Sequence, residues 1–245
     1  MTVARLAELI RKRGPAVALT GAGISTESGI PDFRSPTGIW AQYDPQEYAT
    51  IEAFLADPAK VWGFYALRFR ALIEAEPNAG HRALAELERA GYLRAVVTQN
   101  IDLLHERVGS RDVVEVHGSI RTSSCLGCGA RHTLTEVVPM IEEGGVPRCR
   151  ACGEALKPDV VFFGELLPQD AIDRAYELAR STGVLLVVGS QLEVWPVSLL
   201  PEETVQAGGE VAIVNKGPTS FDRRARVKID GGAGETLTAL VRELG

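Results

Sequence analysis

The chain predicts an α/β fold, a doubly wound parallel sheet with a smaller domain inserted into it. Three observations carry this expectation. Short apolar runs alternate with stretches of helical period, the rhythm of strands joined by crossover helices. Three of the runs stop at glycine or polar residues: GAG at 21–23, QNID at 99–102 and HG at 117–118. In open α/β sheets, ligands gather at the carboxyl ends of strands. Two stretches, 36–76 and 119–156, break the rhythm. The large domain is therefore expected over 1–35, 77–118 and 157–245. The smaller one combines a helical module over 36–76 with a cysteine-bearing module over 119–156.

The elements follow in order. Val3–Arg13 has apolar residues at 3, 6, 9 and 10, a helical spacing that Gly14-Pro15 ends. Ala16–Thr20 reads as a buried strand. Ser35-Pro36-Thr37-Gly38 is turn chemistry. Helical pieces dense in aromatics fill 39–76, enough both to pack a small module and to line an apolar groove. A helix from near Asn78 to Gly91 leads to a second buried strand, Leu93–Thr98, and a third follows at Val113–Val116. Lys157–Glu165 is expected to return to the main sheet. The alternation then runs through helix Gln169–Thr182, strand Val184–Val188, helix Pro201–Ala207 and strand Val211–Val214. A short strand at Val227–Ile229 and a helix at Glu235–Leu244 close it.

Composition bounds the function. A chain of 245 residues, 45% hydrophobic and 24% charged, can bury a large core. Its net charge of −6 argues against a nucleic-acid-binding surface, which is normally basic. No apolar run reaches the roughly 20 residues of a membrane span. The first residues, MTVARLAELIRKRG, lack an apolar signal core. The expectation is a cytoplasmic protein with no membrane or direct nucleic-acid partner.

The first strand ends in a candidate cradle. Gly21 and Gly23 let the backbone turn tightly and approach a ligand. Ser25 and Thr26 offer hydroxyls where a short helix could start, and helix N-termini attract phosphate. Thr26 stands where the GxGxxG dinucleotide fingerprint needs its third glycine. Phe33, Asp32 and Arg34 then supply the mix that suits a planar, charged ligand and its ribose; ordinary loop charges would read the same way.

All four cysteines fall in two CxxC pairs, Cys125/Cys128 and Cys149/Cys152, separated by twenty residues. Two such knuckles complete a tetrahedral four-sulfur shell, the spacing of a zinc ribbon. A four-thiolate shell leaves no open position, so the ion is structural. Of the four histidines, His81 and His105 fall on predicted helices and His132 in the cysteine module, where structural roles are expected. His117 differs, because it follows a buried strand and precedes glycine. Its ordinary pKa suits a general base at neutral pH; the residues alone leave a structural role open.

With the QNID and HG strand ends and the paired CxxC knuckles, GAGISTESGIPDFR at 21–34 resembles the sirtuins, NAD-dependent protein lysine deacylases, over nearly the whole chain. The resemblance implies a Rossmann-like large domain, NAD as co-substrate, one structural zinc ion, and acyl-lysine proteins or peptides as partners. It places the nicotinamide near Phe33, Ile101 and Asp102, with Asp102 accepting from the carboxamide. Gly21, Ala22, Gly23 and Thr26 would follow the pyrophosphate, and Arg34 a neighbouring phosphate or ribose. Gly189, Ser190 and Asn215 would meet the adenosine half, and Ala233 would back the adenine. Gln99 and Lys216 are further cofactor-side candidates. Gln191 departs from the Gly-Ser/Thr-Ser pattern of the family. Asn100 would position ribose or water. His117 would take a proton from a ribose hydroxyl after the acyl oxygen has displaced nicotinamide. The products would then be free lysine, nicotinamide and O-acyl-ADP-ribose.

Val161–Glu165 and Leu192–Trp195 resemble two edges that clamp a peptide through its main chain. Val161, Phe163, Gly164, Glu165 and Val194 are the candidate contacts. Tyr65 and Arg68, three apart on a predicted helix, share a face. Such a pair suits a carboxylate and resembles the pair with which some sirtuins accept succinyl- or malonyl-lysine. A core tyrosine beside a surface arginine would look alike. Mono-ADP-ribosyl transfer on the same scaffold and a non-enzymatic zinc-ribbon module are the alternatives. An NAD-linked dehydrogenase would normally show the complete glycine fingerprint.

Overall fold

A computed structural model describes residues 2–245. Its strands are β1 (Ala16–Thr20), β2 (Leu93–Thr98), β3 (Val113–Glu115), β4 (Gly118–Cys125), β5 (Arg131–Thr133), β6 (Leu156–Val160), β7 (Val184–Val188), β8 (Glu210–Val214) and β9 (Val227–Ile229). They form a six-stranded sheet in the order β3-β2-β1-β7-β8-β9 and a three-stranded sheet in the order β5-β4-β6. Every pairing in the large sheet is parallel, so all its carboxyl ends lie along one edge. The chain winds outward from β1 through β2 and β3, then crosses to β7, β8 and β9 on the other side. The switch point lies between β1 and β7, where such sheets bind ligands.

Both faces of the large sheet are covered. Ala16 and Ala18 of β1 pack with Val96 and Leu186 under Leu6, Leu84 and Leu237 of helices Val3–Arg13, Ala79–Arg89 and Ala233–Leu244. Val17 and Leu19 point the other way, against Leu178 and Leu200 of helices Gln169–Ser181 and Leu200–Gln206. This period of two, with all five residues of β1 buried, explains why the strand reads as a continuous apolar run. Asn78 caps helix Ala79–Arg89 by accepting from Gly80 N at 2.8 Å. Its amide also donates to Ile24 O at 2.7 Å, tying this helix to the turn after β1.

The helical and cysteine-bearing modules share one apolar core. Phe54, Trp62 and Phe69, from helices Ile51–Ala56 and Pro58–Glu74, pack with Ile120 and Leu156 of the small sheet. Trp62 Nε1 donates to Leu156 O at 2.7 Å, joining the two modules by a buried bond.

One strand departs from expectation. Leu156–Val160 pairs antiparallel with β4 and does not rejoin the main sheet. The place beside β1 is taken by β7, whose five residues are all buried, while β4 presents an open edge to β6. Residues 161–165 then leave the strand altogether. The third strand ends at Glu115, although Val116 N still bonds to Thr98 O at 3.0 Å. Residues 117 and 118 therefore lie on the seam between the two sheets. Among the described residues no helix is long and apolar enough to cross a membrane.

Candidate active site

A cleft of about 780 Å³ opens along the carboxyl ends of the large sheet, facing the small domain. Every residue named above as a cofactor, catalytic or substrate candidate lines it. Phe163, Leu166 and Trp195, all exposed apolar side chains, stand among its walls.

The floor is backbone. The turns after β1 and β7 meet at Gly21, Gly23 and Gly189, where Gly23 N donates to Gly189 O at 2.9 Å. A Cβ on Gly23 would lie 2.7 Å from Gly189 Cα, and one on Gly189 only 2.3 Å from Ile24 N. Gly189 also has φ +62°, a conformation that favours glycine. The glycines thus let two strand ends pack directly together. The helix expected at the cradle is only two single 3₁₀ turns, Ala22–Ile24 and Thr26–Ser28, and Thr26 Oγ1 closes back on Gly23 O at 2.9 Å. The helix that begins at the cleft is Ala233–Leu244, and Glu27 already accepts from its Gly234 N at 3.1 Å.

His117 is half-buried on the seam, with Nδ1 3.1 Å from Gln99 O. A carbonyl can only accept, so Nδ1 carries the proton and Nε2 keeps its lone pair. Burial pushes the pKa down, against the Gln99 bond, and the Arg34 charge lowers it further. The imidazole is therefore neutral at physiological pH, the form a base needs. Gln99 in turn donates from its backbone to Thr20 O at 3.0 Å and from Nε2 to Ser190 Oγ at 3.0 Å. These bonds link His117 to the glycine turns through a single residue.

Beneath the cleft runs a polar network whose extent the sequence concealed. Ser25 Oγ donates to Asp102 Oδ2 at 2.6 Å and accepts from Asn100 Nδ2 at 3.1 Å. Asn100 Nδ2 also lies 3.2 Å from Gly21 O. Burial raises the Asp102 pKa, opposed by its bonds from Ser25 and Leu104 N. The buried rings of His81 and His105 stack edge to face at 4.9 Å, and His105 Nε2 reaches Thr20 Oγ1 at 3.0 Å. The signal was a run of hydroxyl and imidazole residues at strand and helix ends, but nothing local marks such groups as buried.

Burial drives both imidazoles down from 6.5, His81 to about 4 and His105 to about 3. In the unfolded chain each takes up a proton below about pH 6.5. The unfolded state then binds more protons, so stability is complete above that pH and is lost as pH falls. We expect a loss of about 2 kcal/mol per histidine from about pH 7 to 5. Urea titrations at several pH values test this. His105→Phe should remove one histidine's share of the pH slope; an unchanged slope would show that the ring is not held neutral.

On the helical side, Tyr65 stacks on Phe162 with centroids 5.2 Å apart. The Arg68 guanidinium lies 5.2 Å from the ring centroids of Phe33 and of Phe64. Among the described residues no carboxylate lies within 4.0 Å of that guanidinium. Desolvation raises the Tyr65 pKa and lowers that of Arg68. Two expected contacts are otherwise engaged. Glu165 turns its carboxylate inward to Lys157 Nζ at 2.9 Å, and Arg34 pairs with Glu193 at 3.2 Å. Gln191 lines the cleft, and its carbonyl accepts from Ser220 N at 3.1 Å.

The Sir2 family model matches residues 21–196, well over half of the chain. The chain belongs to the Sir2 family. NAD-dependent protein deacylase 2 of Pyrobaculum aerophilum is 47% identical over 239 residues, covering 98% of this chain and 94% of its own. The NAD-dependent protein deacylase of Thermococcus kodakarensis is 46% identical, covering 97% of this chain and 94% of its own. A solved Sir2 variant with a deacetylated p53 peptide and 3′-O-acetyl ADP-ribose superposes with TM-score 0.95 at 39% identity, over 99% of this chain and 98% of that one. A Sir2 complex with p53 peptide and NAD⁺ gives TM-score 0.92 at 39% identity, over 99% and 98%.

The Sir2 fold carries its cysteines away from the cleft lining. The four Sγ atoms lie within 4.8 Å of one another. Cys125 and Cys152 are 3.4 Å apart, and Cys128 and Cys149 3.6 Å. A tetrahedral shell with Zn–S near 2.3 Å has edges of about 3.8 Å, whereas a disulfide would need about 2.05 Å. The sulfurs therefore fit one zinc ion. Backbone donors also face them, Cys128 N to Cys125 Sγ at 3.5 Å and Ala151 N to Cys149 Sγ at 3.4 Å.

Proposed function

We propose that this Sir2 chain removes acyl groups from lysine side chains of cytoplasmic proteins, with NAD as co-substrate and O-acyl-ADP-ribose and nicotinamide as products. The observation that carries the reading is the neutral imidazole of His117, its free Nε2 on the seam between the sheets, in a cleft floored by glycine backbone. The naming of the relatives as NAD-dependent deacylases and the NAD⁺ and peptide in the Sir2 structures support it.

The residues divide the work. The glycine turns with Ala22 and Thr26 accommodate the pyrophosphate, while Ser190, Asn215, Lys216 and Ala233 flank the adenosine half. Asp102 accepts from the nicotinamide amide, which lies near Ile101 and Phe33. Asn100 orients the ribose. His117 Nε2 takes the proton of a ribose hydroxyl so that its oxygen can accept the acyl group. The main chain of 161–164 and of 192–195 holds the peptide, and Glu165 serves from behind. Cys125, Cys128, Cys149 and Cys152 hold the zinc, which supplies shape and no chemistry.

Incubation with NAD and an acetyl- or succinyl-lysine peptide, followed by mass spectrometry, tests the reading. O-acyl-ADP-ribose supports it. ADP-ribose added to protein, with no acyl product, would replace it by ADP-ribosyl transfer.

The lining also bears on the acyl group. Arg68, with its guanidinium near two aromatic rings and, among the described residues, no acidic partner, and Tyr65 beside it fit the terminal carboxylate of a succinyl or malonyl chain. Arg68→Met should lower kcat/KM on succinyl-peptide by roughly 10- to 100-fold, the worth of one or two charge-assisted bonds. Acetyl-peptide, which has no carboxylate, should change little. Equal losses on both peptides would remove Arg68 from acyl recognition.

A further inference from the structure

Lys157 has no part in the chemistry above, yet its side chain is only 9% exposed. Its ammonium donates to Pro158 O at 3.0 Å, Val160 O at 2.9 Å and Glu165 Oε2 at 2.9 Å. Three N–H groups thus meet three acceptors, and the charge also lies 4.3 Å from the centroid of Phe162. Glu165 Oε2 accepts in addition from Phe162 N at 2.8 Å. Residues 157–165 are curled around one buried charge.

What this curl holds is the site. Val161 N donates to His117 O at 2.9 Å. Phe163 N donates to Ala49 O at 2.8 Å, and Phe163 O accepts from Ile51 N at 3.0 Å. Phe162 stacks on Tyr65 and lies 5.8 Å from Phe54. The segment therefore touches the base, the acyl wall and the helical module at once. An ion pair with one partner buried and the other half-buried is a poor device for stability alone, because an apolar pair of similar volume commonly does as well. It fixes direction, which an apolar contact does not.

Resting on the deacylase reading, we propose that Lys157 is a positioning residue: through Glu165 its ammonium holds the peptide-binding edge at 161–165 in register with His117 and with the aromatic wall beside Tyr65. The cofactor side of the cleft makes no use of this brace. Losing it should loosen the grip on the peptide without disturbing NAD.

The test uses the zinc-loaded full chain with NAD and a labelled acetyl-lysine peptide. Lys157→Met should raise the peptide KM, and the peptide Kd by anisotropy, roughly 10- to 100-fold, since misplacing a positioned element by about 1 Å can cost up to about 100-fold. KM for NAD should stay within about twofold. Lys157→Arg, which keeps charge and donors, should restore most of the peptide affinity. Glu165→Gln keeps the shape and the bond from Phe162 N; it should shift peptide KM in the same direction by less, and it carries the test if the methionine variant does not fold. Unchanged peptide binding in the variants would overturn the proposal. So would equal losses for NAD and peptide alongside a lowered Tm, since these mark a role in folding only. If the wild type binds peptide but forms no O-acyl-ADP-ribose, the deacylase reading falls and this proposal with it. If the wild type turns over and Lys157→Met matches it, only the positioning role falls.

Discussion

Replacing His117 with alanine should lower the turnover of acyl-peptide by about 10²- to 10⁴-fold, the range over which a positioned base acts. The fold should survive, since the ring's bond is a single contact to Gln99 O and the seam is held by Val116 N to Thr98 O and Val161 N to His117 O, all three involving backbone carbonyls that persist. NAD affinity should change little, because the glycine floor and the Ser25–Asp102–Asn100 network lie outside the substitution. The wild-type rate should fall only in acid, below pH 6.5, because burial lowers the imidazole pKa and the working form is neutral. Steady-state kinetics with a thermal melt decide the matter. A variant that folds and turns over near the wild-type rate would remove His117 from the chemistry.

Stripping the zinc should have a comparable effect by a different route. Structural zinc sites contribute about 10–16 kcal/mol of apparent binding energy to small modules near neutral pH. Here Cys125 and Cys149 are buried in the same apolar cluster as Trp62, Tyr65 and Phe162. Metal loss should therefore reach the acyl wall as well as the knuckles. A chelator strong enough to remove the ion should abolish peptide turnover and lower the melting temperature, and Cys149→Ser should do the same without chelator. The large sheet, with its own two cores, should keep its circular dichroism. Metal content measured beside activity checks this; a zinc-free chain with normal turnover would dissociate the ion from the architecture.

Much of the site could be read from the chain because its signals are local. A strand buried on both faces is an apolar run, and the residues that stop it stand at the cleft, which is why GAG, QNID and HG were informative together. Two CxxC pairs specify a four-sulfur shell by covalent spacing alone. One strand is misread, and other features stay hidden, because they depend on how the chain folds back on itself. Whether Leu156–Val160 joins one sheet or the other is decided by which edges remain open. Glu165 is a candidate contact through the resemblance of 161–165 to a peptide-clamping edge, and it does line the cleft; that Lys157 draws its carboxylate inward is not visible in the chain. His81 and His105, 24 residues apart, give no sign of stacking until the helix and the turn are folded together.

The meeting of Gly23 and Gly189 has a consequence for variation. The floor of the crevice is assembled from main chain on both sides, so there is no side chain to trim if either position gains a methyl group. Randomising the crevice and selecting for folded protein should leave these two codons unaltered while the rim at 166 and 195 drifts freely. Reshaping this pocket for other acyl groups is therefore a matter of its walls, never of its base.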